Sequence, residues 1–315
     1  MKRSERLVFH SKEKLELINP TNLEILNRFK VDMVMRNLSA QTQEHYILDI
    51  QAWFIYILEH QNNKDIKDIS DDNITEFLYY CISAGNNTAR IKIRIAVISS
   101  LYKFMRKKHL IVENPVEFID RPKKGLAVIP QNYLTSEQVA KMREELIKLD
   151  NIEIRLYATL SLSTMARVSA IASIKWEQID LENKIVKDVL EKESKIVNLY
   201  FSNEVKCLLL ALKQDRLNKN IDDSGWLFYS KRKKGEHIAT GTLNSWCKVI
   251  GKLIGVPSLH PHDFRHSGAT LLKNAGMSLE DISMLLSHES TQTTKKHYIK
   301  EDGSRVHDIK DRYNI

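Results

Sequence analysis

Glycine and proline are scarce in this 315-residue chain, at ten and six. So few chain breakers predict a helix-rich protein and exclude collagen-like, Pro-rich and Gly-rich low-complexity classes. Cysteine is nearly absent too. Cys81, Cys207 and Cys247 lie far apart and form no metal-type pair, which excludes a disulfide framework and predicts reduced, mostly buried thiols in a cytoplasmic protein. No apolar run is long enough to span a bilayer, so no membrane partner is expected. Met1 to His10 is charged and has no secretory apolar stretch.

What is present is an ordinary globular mixture, 43% hydrophobic and 28% charged, with a net charge of +8. The excess of positive charge favours a polyanionic partner mildly. The length suffices for two domains with cores of their own. From Ser39 to Gln61, Tyr46, Ile47, Ile50, Trp53, Phe54, Ile57 and Leu58 recur at three- and four-residue steps, predicting an amphipathic helix capped by Ser39. Further helices are expected from about Asp72 to Ala84 and from Asn87 to about Lys108. After a short extension (1–20), residues 21–120 therefore read as a helical bundle. Asn114-Pro115 and Arg121-Pro122-Lys123-Lys124-Gly125 mark a change to extended chain, and 121–133 reads as a linker. A second domain, 134–315, opens where Thr135 or Ser136 can cap a helix reaching about Leu149. Within it, Lys184 to Leu190 and Lys195 to Phe201 are short and β-branched across a polar turn, the pattern of a hairpin. Near the end, Ser278 to Asp281 resembles a capping box with Asp in place of Glu.

Between Asn86 and Gly125 ten basic residues stand against three acidic ones. Arg90, Lys92 and Arg94 lie on one helix opposite an apolar stripe, and Lys123 and Lys124 lie in the linker. All five are candidate phosphate contacts. A solvated helix face would carry the same charges, so this stretch points to nucleic acid only in company with other signals.

Three segments in the second domain supply that company. They are Ala166-Arg167-Val168-Ser169-Ala170, His262-Asp263-Phe264-Arg265, and Leu286-Ser287-His288, the last followed ten residues after its histidine by Tyr298. In type, order and spacing they resemble the catalytic motifs of the tyrosine recombinases, the phage integrase family. The likeness extends over about residues 21 to 300. Ser39, Thr42, Tyr46 and Asp49 are similar to the family's first DNA-binding helix, which makes Thr42 a further candidate DNA contact. The resemblance implies a mainly α protein with a small β-sheet (α+β), built from an N-terminal SAM-like core-binding bundle and a recombinase catalytic domain. It implies cleavage and rejoining of double-stranded DNA recombination sites through a 3′-phosphotyrosyl link, with no cofactor, metal or ATP. It also implies a homo-tetramer on two synapsed sites, with an accessory DNA-bending protein as a further partner.

The residue types suit the reaction. Attack on a phosphodiester adds charge to the non-bridging oxygens, and two guanidiniums answer it with planar donors that stay charged. The resemblance gives that part to Arg167 and Arg265, the nucleophile to Tyr298, the base to His262 and a phosphate hydrogen bond to His288. The acid that protonates the leaving 5′ oxygen is assigned to a lysine on the hairpin turn, Lys192, with Lys195 as the alternative. Singly, each has a plainer reading: a surface arginine, a packing tyrosine, a solvated lysine. His260, His262 and His266 lack the spacing and acidic or thiolate partners of a zinc set; His266 and His297 are left to structural or solvent-facing positions.

Three features depart from the family pattern. Ala170 stands where an acid that supports the site is usual, and Ser287 stands where glycine is usual. The gap from His288 to Tyr298 is one residue longer than in many chromosomal members, which points towards integration and excision of a phage or other mobile element. A Xer-like resolvase of chromosome or plasmid dimers is the nearest rival. A catalytically silent DNA-binding regulator and a type IB topoisomerase-like enzyme are more distant ones.

Overall fold

The computed structural model describes residues 11–123, 133–191 and 195–286. The chain divides into two compact units, 1–128 and 129–315. It is mainly helical with a small three-stranded sheet, as the sequence predicts.

The first unit carries α1 (Lys12–Glu16), α2 (Pro20–Met35), α3 (Ala40–His60), α4 (Asp71–Ser83) and α5 (Thr88–Lys107). The longer helices begin at side-chain caps that accept a backbone N–H: Asn19, Ser39, Ser70 and Asn87. Their apolar faces meet in one core, where Trp53 lies 5.8 Å from Tyr102 and Phe29 lies 5.4 Å from Phe104, ring centre to ring centre. On α3, Ala52, Ile55 and Tyr56 are buried beside Ile50, Trp53, Phe54 and Ile57, while Tyr46, Ile47 and Leu58 are half-buried. The helix α2 is anchored by Ile25, Leu26, Phe29 and Met33.

The second unit carries α6 (Ser136–Lys148), α7 (Ile152–Thr164), α8 (Val168–Ala172), β1 (Ile179–Asp180), β2 (Ile185–Leu190), β3 (Ile196–Tyr200), α9 (Asn203–Asn218), α10 (Thr240–Ile254), α11 (Pro261–Asn274) and α12 (Leu279–Leu285). Thr135 starts α6 through a reciprocal pair, accepting from Gln138 N at 3.2 Å while its own N–H donates to Gln138 Oε1 at 2.9 Å. The helix α7 runs through the middle of the core. Its Tyr157 meets Phe228, Trp246 and Phe264 edge-on at 6.2, 5.7 and 6.0 Å. Cys81 and Cys247 are buried and Cys207 is exposed.

Buried Arg216 of α9 ties this unit together. It donates to Glu153 at 3.1 Å, Asp223 at 2.8 Å and the carbonyls of Trp226 and Leu227 at 3.1 and 2.8 Å. Burial alone would raise the Asp223 carboxyl, but donors from Trp176 and Arg216 outweigh it and hold the group below its ordinary pKa.

The sheet is antiparallel in the order β1-β2-β3. Its one irregularity bears on the site. Val186 pairs with Leu199 and Val189 with Val197, so Lys187 and Asp188 together face Asn198. Asp188 takes a left-handed conformation (φ 54°), and its N–H donates to Asn198 Oδ1 at 3.2 Å. This bulge shifts the inward–outward alternation by one residue. Val186 is buried before the bulge; after it Val189 and Glu191 are buried, and Leu190 is 59% exposed.

Candidate active site

The local chain path brings two arginines together that lie far apart in sequence. The helix α7 ends at Met165, which is left-handed (φ 53°) and redirects the chain; Arg167 follows at the N-cap of α8. Arg265 projects from the second turn of α11 and is 2% exposed. It donates through Nη1 to the Met165 carbonyl at 2.7 Å and through Nη2 to the Leu286 carbonyl at 2.5 Å. One guanidinium therefore joins the turn that presents Arg167 to the end of α12.

Gly268 makes this approach close enough. A Cβ there would stand 2.5 Å from the Leu162 carbonyl oxygen and 2.6 Å from Met165 Cγ. Gly→Ala within a helix ordinarily gains up to about 1 kcal/mol. Here the clash is with backbone, and overpacking at about 1–3 kcal/mol outweighs that gain. Gly268→Ala is expected to lower the melting temperature by several degrees, roughly 2–4 °C per kcal/mol in a unit of this size. A melt at or above the wild-type temperature would show that α11 does not need this contact.

Glu191 lies where the two arginines converge. Its side chain is 2% exposed; one oxygen bonds Arg167 Nη1 and the other lies 3.9 Å from Arg265 Nη1. An unpaired carboxylate so deeply buried would cost several kcal/mol, and two guanidiniums offset that. The Arg167 side chain remains 33% exposed, so the positive end of the cluster opens to solvent.

The other expected site residues fall into two groups. His262 is exposed in the first turn of α11, one turn before Arg265, and its ring packs edge-on against His266 at 4.6 Å. His260 is occupied as a cap: its N–H donates to Asp263 Oδ2 at 2.8 Å, and its Nδ1 lies 3.0 Å from the same oxygen. Lys195 is exposed at the start of the returning strand, where its carbonyl accepts the Glu191 N–H at 2.8 Å. Lys192, His288, Tyr298 and Lys124 lie outside the described residues.

In the first unit, one expected DNA contact is corrected. Arg94 does not lie on the solvent face of α5. It is 6% exposed, lies 3.4 Å from Asp49 and 3.3 Å from Asn86, and its guanidinium sits 5.5 Å from the Phe77 ring centre. Burial lowers its pKa. Asp49, buried on α3, pairs with both Arg94 and Arg90, so the four-residue spacing serves packing at least as much as any surface. Arg90 keeps 41% of its side chain exposed, Lys92 and Thr42 are half-buried, and Lys123 is exposed. The Thr42 hydroxyl shares a 2.8 Å bond with the Ser39 hydroxyl at the start of α3.

Residues 132–305 match the model of the phage integrase family, and residues 26–109 match that of the phage integrase N-terminal SAM-like domain. Among curated proteins, the tyrosine recombinase XerC of Herpetosiphon aurantiacus is 28% identical over 268 residues, covering 83% of this chain and 85% of the relative. XerC of Pediococcus pentosaceus is 27% identical over 301 residues, covering 89% and 95%. Among solved structures, the XerH site-specific recombinase in a post-cleavage complex with palindromic difH substrate has a TM-score of 0.72 at 18% identity, covering 95% of this chain and 92% of that one. A lambda integrase dimer on a COC′ core site has a TM-score of 0.68 at 18% identity, covering 89% and 95%.

Proposed function

Because the chain belongs to the phage integrase family, the tyrosine recombinases, we propose that it cuts and rejoins DNA recombination sites through Tyr298. The Tyr298 oxygen attacks the scissile phosphorus while His262 takes the phenol proton. The bond from phosphorus to the 5′ oxygen breaks, and Lys192, or Lys195 in its place, protonates the leaving oxygen. Arg167 and Arg265 hold the non-bridging oxygens, and His288 adds a hydrogen bond to them. The product is a 3′-phosphotyrosyl link and a free 5′ hydroxyl, and attack by a 5′ hydroxyl from the partner duplex reverses the step. Phenol ionisation costs about 4 kcal/mol at pH 7, which a neighbouring base offsets.

The observation that carries this reading is the convergence of Arg167 and Arg265, almost a hundred residues apart, on one buried carboxylate with the Arg167 side open. The assembly we propose is a homo-tetramer on two synapsed sites in the cytoplasm, assisted by a DNA-bending protein. Thr42, Arg90, Lys92, Lys123 and Lys124 are the proposed contacts of the duplex.

The ten-residue step from His288 to Tyr298 favours integration and excision of a mobile element. The XerC relatives favour resolution of chromosome or plasmid dimers as the second reading. Nicked duplexes carrying either the ends of the surrounding element or the host dimer-resolution site separate the two. A covalent protein–DNA band on a denaturing gel is expected with the element ends. A band with the host site alone makes the chain a resolvase, and no band with any genomic fragment removes the catalytic reading.

A further inference from the structure

We propose that Glu191 is a positioning residue for strand cleavage, holding Arg167 and Arg265 in place from the hairpin turn because position 170 has no acid to do so. The proposal rests on the recombinase reading above.

Three independent features put Glu191 in this role. The first is its pairing: a carboxylate almost wholly removed from solvent is shared by two guanidiniums that come from α8's N-cap and from α11. The second is the backbone. The Glu191 N–H donates to the Lys195 carbonyl, so the carboxylate is held where β2 and β3 are joined, next in sequence to Lys192. The third is the bulge at Lys187 and Asp188. Alternation continued without it from Val186 would turn Leu190 inward and Glu191 outward; with it the charged residue is buried and the leucine exposed. Burying a carboxylate in place of a leucine is unfavourable unless the charge is used.

The geometry accounts for the missing acid. Ala170 lies on α8 one turn beyond Arg167 and is fully buried among apolar neighbours, with no carboxylate to offer. Glu191 reaches the same arginine from the end of β2 and lies 3.9 Å from Arg265 as well. Because Glu191 directly precedes Lys192 in sequence, it ties the arginine pair to the hairpin that supplies the proposed acid.

The test is single-turnover cleavage of the nicked duplex on which the wild-type chain forms its covalent adduct, run beside a gel-shift titration of the same duplex and a thermal melt. Failure of the wild-type chain to form any adduct speaks against the recombinase reading itself, separately from the variants. Glu191→Gln keeps the shape and removes the charge. It is expected to cleave at least tenfold more slowly with DNA affinity changed by less than threefold, and Glu191→Asp, which restores the charge one methylene short, is expected to recover most of the loss. Cleavage by Glu191→Gln at the wild-type rate or faster overturns the proposal, the faster case marking the carboxylate as a competitor of the phosphate. Equal loss in the Gln and Asp variants overturns it too, since charge would not be what matters. Should Glu191→Gln melt below the assay temperature, wild type, Glu191→Gln and Glu191→Asp are compared at a temperature below that melt, where the same outcomes support or overturn the proposal.

Discussion

Tyr298→Phe is expected to abolish the covalent protein–DNA adduct and leave the noncovalent complex almost intact. The substitution removes one oxygen, and that oxygen is the proposed bond to phosphorus. In enzymes whose nucleophile acts within a preorganised set, its removal costs on the order of 10⁶ in rate, which puts the adduct below detection on any gel. Binding should change little, because one hydroxyl hydrogen bond is worth about 1 kcal/mol net, roughly fivefold in affinity. Two described tyrosines are poor substitutes. Burial pushes the phenols of Tyr102 and Tyr157 well above their ordinary pKa, and each already bonds inside a core, to the Ile66 carbonyl and to Cys247. An adduct that persists in Tyr298→Phe would show that another side chain attacks the phosphate. Peptide mapping of the adduct would then name it.

The sequence discloses what depends on local periodicity and on motif order. Helices α3, α4 and α5 follow their apolar spacing and caps, and the hairpin of β2 and β3 follows two β-branched runs across a polar turn. The two arginine motifs stand in the order of the family they resemble, and the fold brings them to one point. What stays hidden depends on tertiary pairing. Arg94 belongs to a run of positive charge and reads as surface, but its partner Asp49 is on another helix and nothing local in α5 discloses the pair. Glu191 reads as a solvated turn residue for a similar reason. Strict alternation from Val186 would send it outward, and only the pairing with β3 reveals the bulge that turns it inward. Arg216 escapes notice as one more basic residue in a helix, because its acceptors come from α7 and from the segment 223–227. In each case a charged side chain is buried because its partner arrives from a distant element. Composition and periodicity treat charge as surface by default.

Arg265→Lys should be the most damaging substitution that keeps a positive charge in the described part of the site. The guanidinium performs two tasks with one rigid fork. Nη1 and Nη2 hold carbonyls on different elements, those of Met165 and Leu286, while the cation balances Glu191 and, in the proposed reaction, the transferring phosphate. An ammonium is a single point on a flexible stem and cannot span the same two carbonyls. One buried carbonyl is left without its donor, at about 1–3 kcal/mol. That loss alone would show as a lower melting temperature with unchanged chemistry in the molecules that remain folded. The catalytic loss is separate. Removing one preorganised donor to a developing oxyanion costs on the order of 10²–10³ in rate. Single-turnover cleavage by folded Arg265→Lys, well below its melting temperature and at saturating DNA, is therefore expected to fall by at least a hundredfold. A rate within a few-fold of wild type under those conditions would reduce Arg265 to a structural brace between α7 and α12 and leave the phosphate to Arg167 alone.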